Sequence, residues 1–239
     1  MKLIRIPALK TTLISAFLGL LLLTQTVSAI PTTFEANYSV AKGSLTLGNL
    51  HTSLKVRGGR YFYHKYTKAT GLAALLTGIK ITENTDGKIS GENIQPSSYL
   101  FNKSQRSKSK IDRVQFSGNS ASGSYKGKPY SLSIASNTQD RASLELVLAR
   151  DIALNKAQLN YTVVESAKKK QYTFQKLGNE QLKTPAGTFN TVKVKVLRSG
   201  NKRETIFWLA KETDYMPVKI LHREKDDVIT TVIKNYKKT

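Results

Sequence analysis

Alternation with a period of two restricts this chain more than any other feature. In "FEANYSV", Phe34, Ala36, Tyr38 and Val40 fall on one face of an extended backbone. "SLTLGNLHTSLKV" continues with Leu45 and Leu47, then Leu54 and Val56 after a Gly48-Asn49 interruption. A helix of 3.6 residues per turn would scatter these side chains, whereas a strand gathers them. Glycine pairs then mark hairpins. Gly58-Gly59 precedes "RYFYHKY", Asp86-Gly87 is a turn signal within "IKITENTDGKIS", and Gly127 is one within "SYKGKPYSLSI". Pro129 suits an edge or the start of a strand. The second half reads as "AQLNYTVVES", "KQYTFQKL", "TPAGTFNTVKVKV", "RETIFWLA", "MPVKILHRE" and "VITTVIKNY". The expected turns between them are "ESAKKK", "LGNEQLKTPAG", "RSGNK", "KETDY" and "EKDD".

Two segments depart from this period. "GLAALLTG" (Gly71 to Gly78) is apolar, bounded by glycines and too brief to assign as a helix. "DRASLELVLARDIAL" is assigned as one: Asp140 stands at an N-cap, and Leu144, Val147 and Leu148 have i, i+3, i+4 spacing. The fold class expected is mainly β, an antiparallel half-open β-barrel or curved sheet with one short helix packed against it. Residues 30–239 are expected to form a single β-rich domain.

The first 29 residues have the three-part layout of a secretory signal peptide. Lys2, Arg5 and Lys10 precede the apolar run Thr11 to Leu23, and Val27 and Ala29 are small residues before a cleavage point. The run has 13 residues, short of the roughly 20 that span a bilayer. Cleavage after Ala29 would leave 239 − 29 = 210 residues with a net charge of 22 − 3 = +19, and no transmembrane segment. The chain has no cysteine. A cysteine-free exported chain of this size fits a Gram-negative periplasm better than a disulfide-stapled secreted domain. There the excess positive charge favours anionic lipid or envelope polymer and gives no reason to expect nucleic acid. Alternatively, it is only a solvated surface.

Catalytic signatures are missing. Without cysteine there is no thiol catalysis and no thiolate metal site. His51, His64 and His222 lie far apart, and no nucleophile elbow or glycine-rich phosphate loop occurs. Ser-x-x-Lys occurs at Ser39/Lys42, Ser107/Lys110 and Ser166/Lys169, as chance gives in a Ser- and Lys-rich chain, and at no predicted helix start. "TPAGTF" reads as a type I turn, with Pro185 second and Gly187 fourth. Beyond it Val192, Val194 and Val196 oppose Thr191, Lys193 and Lys195. Trp208 lies in a strand that is apolar on both faces, so it is buried on both or lines an apolar cavity. The basic patch "NKSQRSKSK" (Asn102 to Lys110) is a strand face or a mobile loop.

"QDRASLELVLARDIAL", "GNEQLKTPAGTFNTVKVKV", "RETIFWLAKETDYMPVKI" and "VITTVIKNY" resemble the bacterial domain of unknown function 3108 family, in order and spacing. Tyr38, Gly43, "GGRYFY" and "IQPSSY" extend the resemblance over nearly the whole chain after the leader. It implies an exported, strand-rich protein, similar by analogy to the half-open barrels of periplasmic lipoprotein carriers. It implies no established activity.

Three readings follow. The first is a non-enzymatic periplasmic binding or carrier module for an anionic amphiphile. Phe189, Trp208 and Tyr215 would line its cavity, and Lys193, Lys195, Arg203, Lys108 and Lys110 would form an anion-binding rim. The second is an envelope accessory protein that docks on anionic polysaccharide, peptidoglycan or a protein partner through its basic surface. The third, a hydrolase built on His64 with an acidic partner, has the least support. No catalytic residue, metal or cofactor is assigned.

Overall fold

A computed structural model describes residues 29–200 and 203–239; residues 1–28 of the expected 29-residue leader lie outside them. The chain forms one 14-stranded antiparallel sheet. β1 (Phe34–Lys42), β2 (Leu45–Arg57), β3 (Arg60–Ala69), β4 (Lys80–Ser90), β5 (Asn93–Gln105), β6 (Lys108–Ser117), β7 (Ser120–Tyr125) and β8 (Lys128–Ser133) make one meander. β9 (Leu159–Glu165), β10 (Lys168–Thr184), β11 (Gly187–Leu197), β12 (Arg203–Ala210), β13 (Pro217–Glu224) and β14 (Asp227–Lys238) make the other. β1 pairs with β14, so the chain's first and last strands lie in the middle of the sheet and β8 and β9 form its edges.

The edges do not pair with each other, and the sheet is not closed into a barrel. Between them the chain makes α2 (Arg141–Ala153), which packs against β4, β5 and β9. Gln139, just before α2, uses part of the free edge of β9: its N–H donates to Thr162 O at 2.9 Å, and its carbonyl accepts from Val164 N–H at 2.8 Å. Its Nε2 donates to Ile94 O of the other meander at 3.1 Å. Asp112 on β6 accepts from Ser166 N–H at 2.6 Å, another tie between the two halves. Sheet edges left bare invite pairing with other chains, and these contacts reduce that exposure.

α2 starts where its sequence predicts. Asp140 is the N-cap, with Oδ1 accepting from the N–H groups of Ala142 and Ser143 at 2.8 Å each, and Ser143 Oγ closes a capping box. Its buried residues include Leu144, Leu146, Val147, Leu148 and Ile152, which cover more than one face. A helix apolar on several sides belongs in an interior, so α2 sits in the concavity of the sheet and does more than close one side of it.

The hairpin at Gly58-Gly59 forms as expected, both residues having left-handed backbone, and Lys126-Gly127 forms another. Three expectations are corrected. Asp86-Gly87 is not a turn: β4 runs through it to Ser90. Gly87 is there because a Cβ would come within 2.0 Å of Gln95 O and 2.7 Å of the Tyr61 ring. Gly48 likewise does not interrupt β2; a Cβ there would lie 2.4 Å from Lys68 O. "LGNEQL" is not a turn but part of the 17-residue β10, and only Pro185-Ala186 connects it to β11. "GLAALLT" does form a helix, α1 (Gly71–Thr77). "NKSQRSKSK" is the β5–β6 hairpin, turning at Arg106-Ser107.

Candidate functional site

A cleft of about 920 Å³ lies between α2 and the inner face of β10 to β13. Strand parity builds its wall: Phe174, Val196, Phe207 and Leu209 point inward, and α2 contributes Leu144 and Leu148. Val194 pairs with Phe207 and Val192 with Leu209 in the β11–β12 register, so the valine face covers this interior.

A charged cluster lines one part of the cleft. Arg141, at the first turn of α2, lies 3.7 Å from Glu83 on β4 and 3.6 Å from Glu165 on β9, and so spans both meanders. Lys65 on β3 pairs with Glu145 and lies 3.7 Å from Glu83. Lys170 pairs with Glu165. Tyr99 donates to Glu83 at 2.6 Å and Tyr63 to Glu145 at 2.9 Å. Burial alone would push Glu83 up, but Arg141 and Lys65 hold it below the ordinary carboxylate range. Burial raises both tyrosines, which remain neutral donors. Each carboxylate of this cluster is matched by a cation, so the cluster fixes the helix in place and offers no unpaired base.

The mouth differs. Arg198, Arg203, Thr205 and His222 line it, beside Ser199 and Gly200. Arg203 lies 3.6 Å from Glu224. Arg198 reaches Thr205 Oγ1 at 3.5 Å and has no ion pair among the described residues. His222 Nδ1 lies 2.9 Å from Thr205 Oγ1. Burial, then the nearby Arg198, lowers the His222 pKa from 6.5.

Of the eight residues proposed from the sequence as cavity lining or anion-binding rim, Arg203 lines this cleft and the others do not. Trp208 is on the opposite face of β12, between Lys219 at 4.6 Å and Lys193 at 5.0 Å from its ring, and its indole N–H donates to Glu180. That explains a strand apolar on both faces: Phe207 and Leu209 line the interior, while lysine stems cover Trp208. Lys193 lies 3.5 Å from Glu180 and Lys195 2.7 Å from Glu204, so their face meets carboxylates. Phe189 is buried, and Tyr215 is half-buried with a left-handed backbone. Lys108 and Lys110 lie on β6, with Lys110 5.4 Å from the Tyr125 ring.

Sequence reading passes over Arg198 and the charged cluster, and sets His222 aside because the three histidines lie far apart. Arg141 and Glu145, four apart near the start of a helix whose middle is apolar, were the available signal. His64 contacts the amide of Asn84 and His51 that of Asn37. Among the described residues no group of three His, Asp or Glu side chains could hold a metal ion, and no helix is long and apolar enough to cross a membrane.

Fold and cleft together define a β-barrel-like protein whose open sheet wraps a helix and leaves an apolar cleft with a basic mouth. The family model described as "Protein of unknown function (DUF3108)" matches residues 33–234, and the chain belongs to that family. No curated protein matches it. Among solved structures, the β-barrel-like protein of the domain of unknown function DUF1849 from Brucella abortus has a TM-score of 0.57 at 9% identity, over 88% of this chain and 99% of that one. This likeness bears on the fold alone. A candidate lipoprotein from Parabacteroides distasonis has a TM-score of 0.34 at 10% identity, over 87% of this chain and 98% of that one. A candidate exported protein from Bacteroides fragilis has a TM-score of 0.34 at 9% identity, with the same coverage of 87% and 98%.

Proposed function

We propose that the protein is a non-enzymatic binding or carrier module of the bacterial envelope, periplasmic after export, whose cleft holds an anionic amphiphile. The observation that carries this reading is the combination at one cleft of an apolar wall and an arginine with no carboxylate partner. An acyl chain would lie against Leu144, Leu148, Phe174 and Phe207, and its anionic head group would meet Arg198, Arg203 and His222, whose protonation the anion would favour. Lys193, Lys195 and Arg203 each lie near a carboxylate, which favours Arg198 as the main head-group contact. Phe189, Trp208 and Tyr215 then support the wall from outside the cleft.

The test is native mass spectrometry of the protein purified without detergent from a Gram-negative periplasm. A co-purifying mass in the phospholipid or lipid A range, lost in Phe207→Asp, is the expected result. A bare mass that no added anionic lipid shifts would overturn it and favour the envelope-docking reading, in which the basic surface binds anionic polymer.

A further inference from the structure

α1 is folded the wrong way out for a globular protein. Leu72, Leu75 and Leu76 have the i, i+3, i+4 spacing that normally turns inward, yet they are 60%, 80% and 61% exposed, and no residue of the helix is buried. Leu45, in the neighbouring hairpin, is 53% exposed. Seven residues make a helix only marginally stable by itself, and this one is held in place. Ala69 N–H donates to Ile79 O at 2.9 Å across its base, and Thr70 N–H to Leu47 O at 3.0 Å. The guanidinium of Arg106 donates to Leu76 O at 2.8 Å, and Gly78 closes the C-terminus in the left-handed region. A leucine face fixed in water calls for something that covers it.

The charge around it says what. Strand direction places α1 at the same end of the sheet as the turns β1–β2, β5–β6 and β7–β8. Four stretches around α1 at that end, residues 41–50, 66–82, 100–111 and 124–130, contain nine Lys or Arg and no Asp or Glu, while the β13–β14 turn at the same end carries Glu224, Asp226 and Asp227 beside Arg223 and Lys225. Of the nine, Lys42 pairs with Asp227; Lys68, Lys80, Arg106, Lys108 and Lys126 are among the exposed ones. A convex helix offers no pocket for a partner's anchoring side chains. A bilayer needs only apolar side chains at headgroup depth with cations around them. The β11–β12 connection, where Arg198 lies, is at this same end, so the mouth of the cleft would face the membrane.

We propose that this end of the protein docks on an anionic lipid bilayer, with Leu72, Leu75 and Leu76 inserted among the headgroups and the surrounding lysines and Arg106 on lipid phosphates. The inference concerns the surface and stands whether or not the cleft carries lipid.

The chain from Ile30 onward contains every described strand and helix, and it is the form to test. It is sedimented with vesicles of phosphatidylethanolamine and phosphatidylglycerol, and with vesicles of phosphatidylcholine alone. Binding is expected to the first, with at least about a tenfold loss on neutral vesicles and a further loss at high salt. Leu72→Ser/Leu75→Ser/Leu76→Ser, which disturbs no buried residue, is expected to bind at least about tenfold more weakly with an unchanged circular dichroism spectrum. Lys183→Gln/Lys211→Gln, at the opposite end, is expected to bind as the wild type does. Equal binding to both vesicles, no binding to either, or wild-type binding by the leucine variant would each overturn the proposal. A bare mass in native mass spectrometry together with leucine-dependent vesicle binding would sink the carrier reading and leave this one standing.

Discussion

The ammonium of Lys65 on β3 lies 3.7 Å from Oε2 of Glu83 on β4, and both side chains are largely enclosed. The same ammonium bonds Glu145 of α2, so one cation ties the helix to the sheet. Burial works against the Lys65 charge, and Glu145 and Glu83 outweigh it, raising the Lys65 pKa. Removing that cation leaves two buried carboxylates short of charge, a change that costs about 3–5 kcal/mol. Lys65→Met is therefore expected to lower the unfolding free energy read from a urea titration by that order. Lys65→Met/Glu145→Gln removes one of the orphaned charges and is expected to recover part of the loss. A double variant no more stable than the single one would show that the network does not hold the helix.

Asp140 supplies a pH dependence. Its burial under the sheet pushes its carboxyl up to about 7 from an ordinary 3.8, against hydrogen bonds from Thr85, Ala142 and Ser143 that favour the charged form. Because the folded-state pKa is raised, its contribution to stability is greatest below about 4 and is lost as pH rises to about 7. Asparagine keeps the acceptor that caps the helix and cannot ionise. Thermal melts of both proteins from pH 4 to 8 are expected to show Asp140→Asn gaining on the wild type through that window, by an order of a few kcal/mol, then running parallel. A constant difference would show that the carboxyl does not titrate there.

Glycine positions separate what the sequence shows from what it hides. Gly91, in the true β4–β5 turn, has a left-handed backbone and open space where a Cβ would go. Gly91→Ala is thus expected to cost about 1–2 kcal/mol, the left-handed penalty alone. Gly87 has an ordinary backbone but no room, and Gly87→Ala must displace the Gln95 carbonyl or the Tyr61 ring. Its expected cost exceeds that of Gly91→Ala, read from urea unfolding of the two variants.

That pair also shows why the fold was legible and the site was not. Alternation, the Gly58-Gly59 hairpin and the Asp140 cap are local, so each can be read from a few neighbouring residues. Asp86-Gly87 has the composition of a turn, yet the glycine answers to the Tyr61 ring of β3 and to the register of β5, neither of which the local composition shows. The same holds for the cleft. Glu83, Arg141 and Glu165 each sit in an unremarkable strand or helix segment, Arg198 lies just past the end of β11, and the pairing of a 14-stranded sheet brings them to one cleft. Trp208 drew attention as the one tryptophan in a doubly apolar strand, but parity alone cannot tell which face lines the cleft and which lies under lysine stems.

His222 gives the head-group site its own signal. Burial first, and then the positive charge of Arg198, lower its pKa from 6.5. An anion bound at the mouth offsets that charge and stabilises the imidazolium, so binding raises the His222 pKa and takes up a proton. Affinity for an anionic amphiphile is accordingly expected to strengthen as pH falls through the His222 transition. Arg198→Ala removes one charge-assisted contact and is expected to weaken binding about tenfold. In the unliganded protein the same substitution removes a repulsion and is expected to raise the His222 pKa. Both follow from an NMR titration of the His222 ring protons, with and without a short-chain phosphatidylglycerol. A His222 transition that the lipid leaves in place, while native mass spectrometry still shows the lipid bound, would put the head group elsewhere in the cleft.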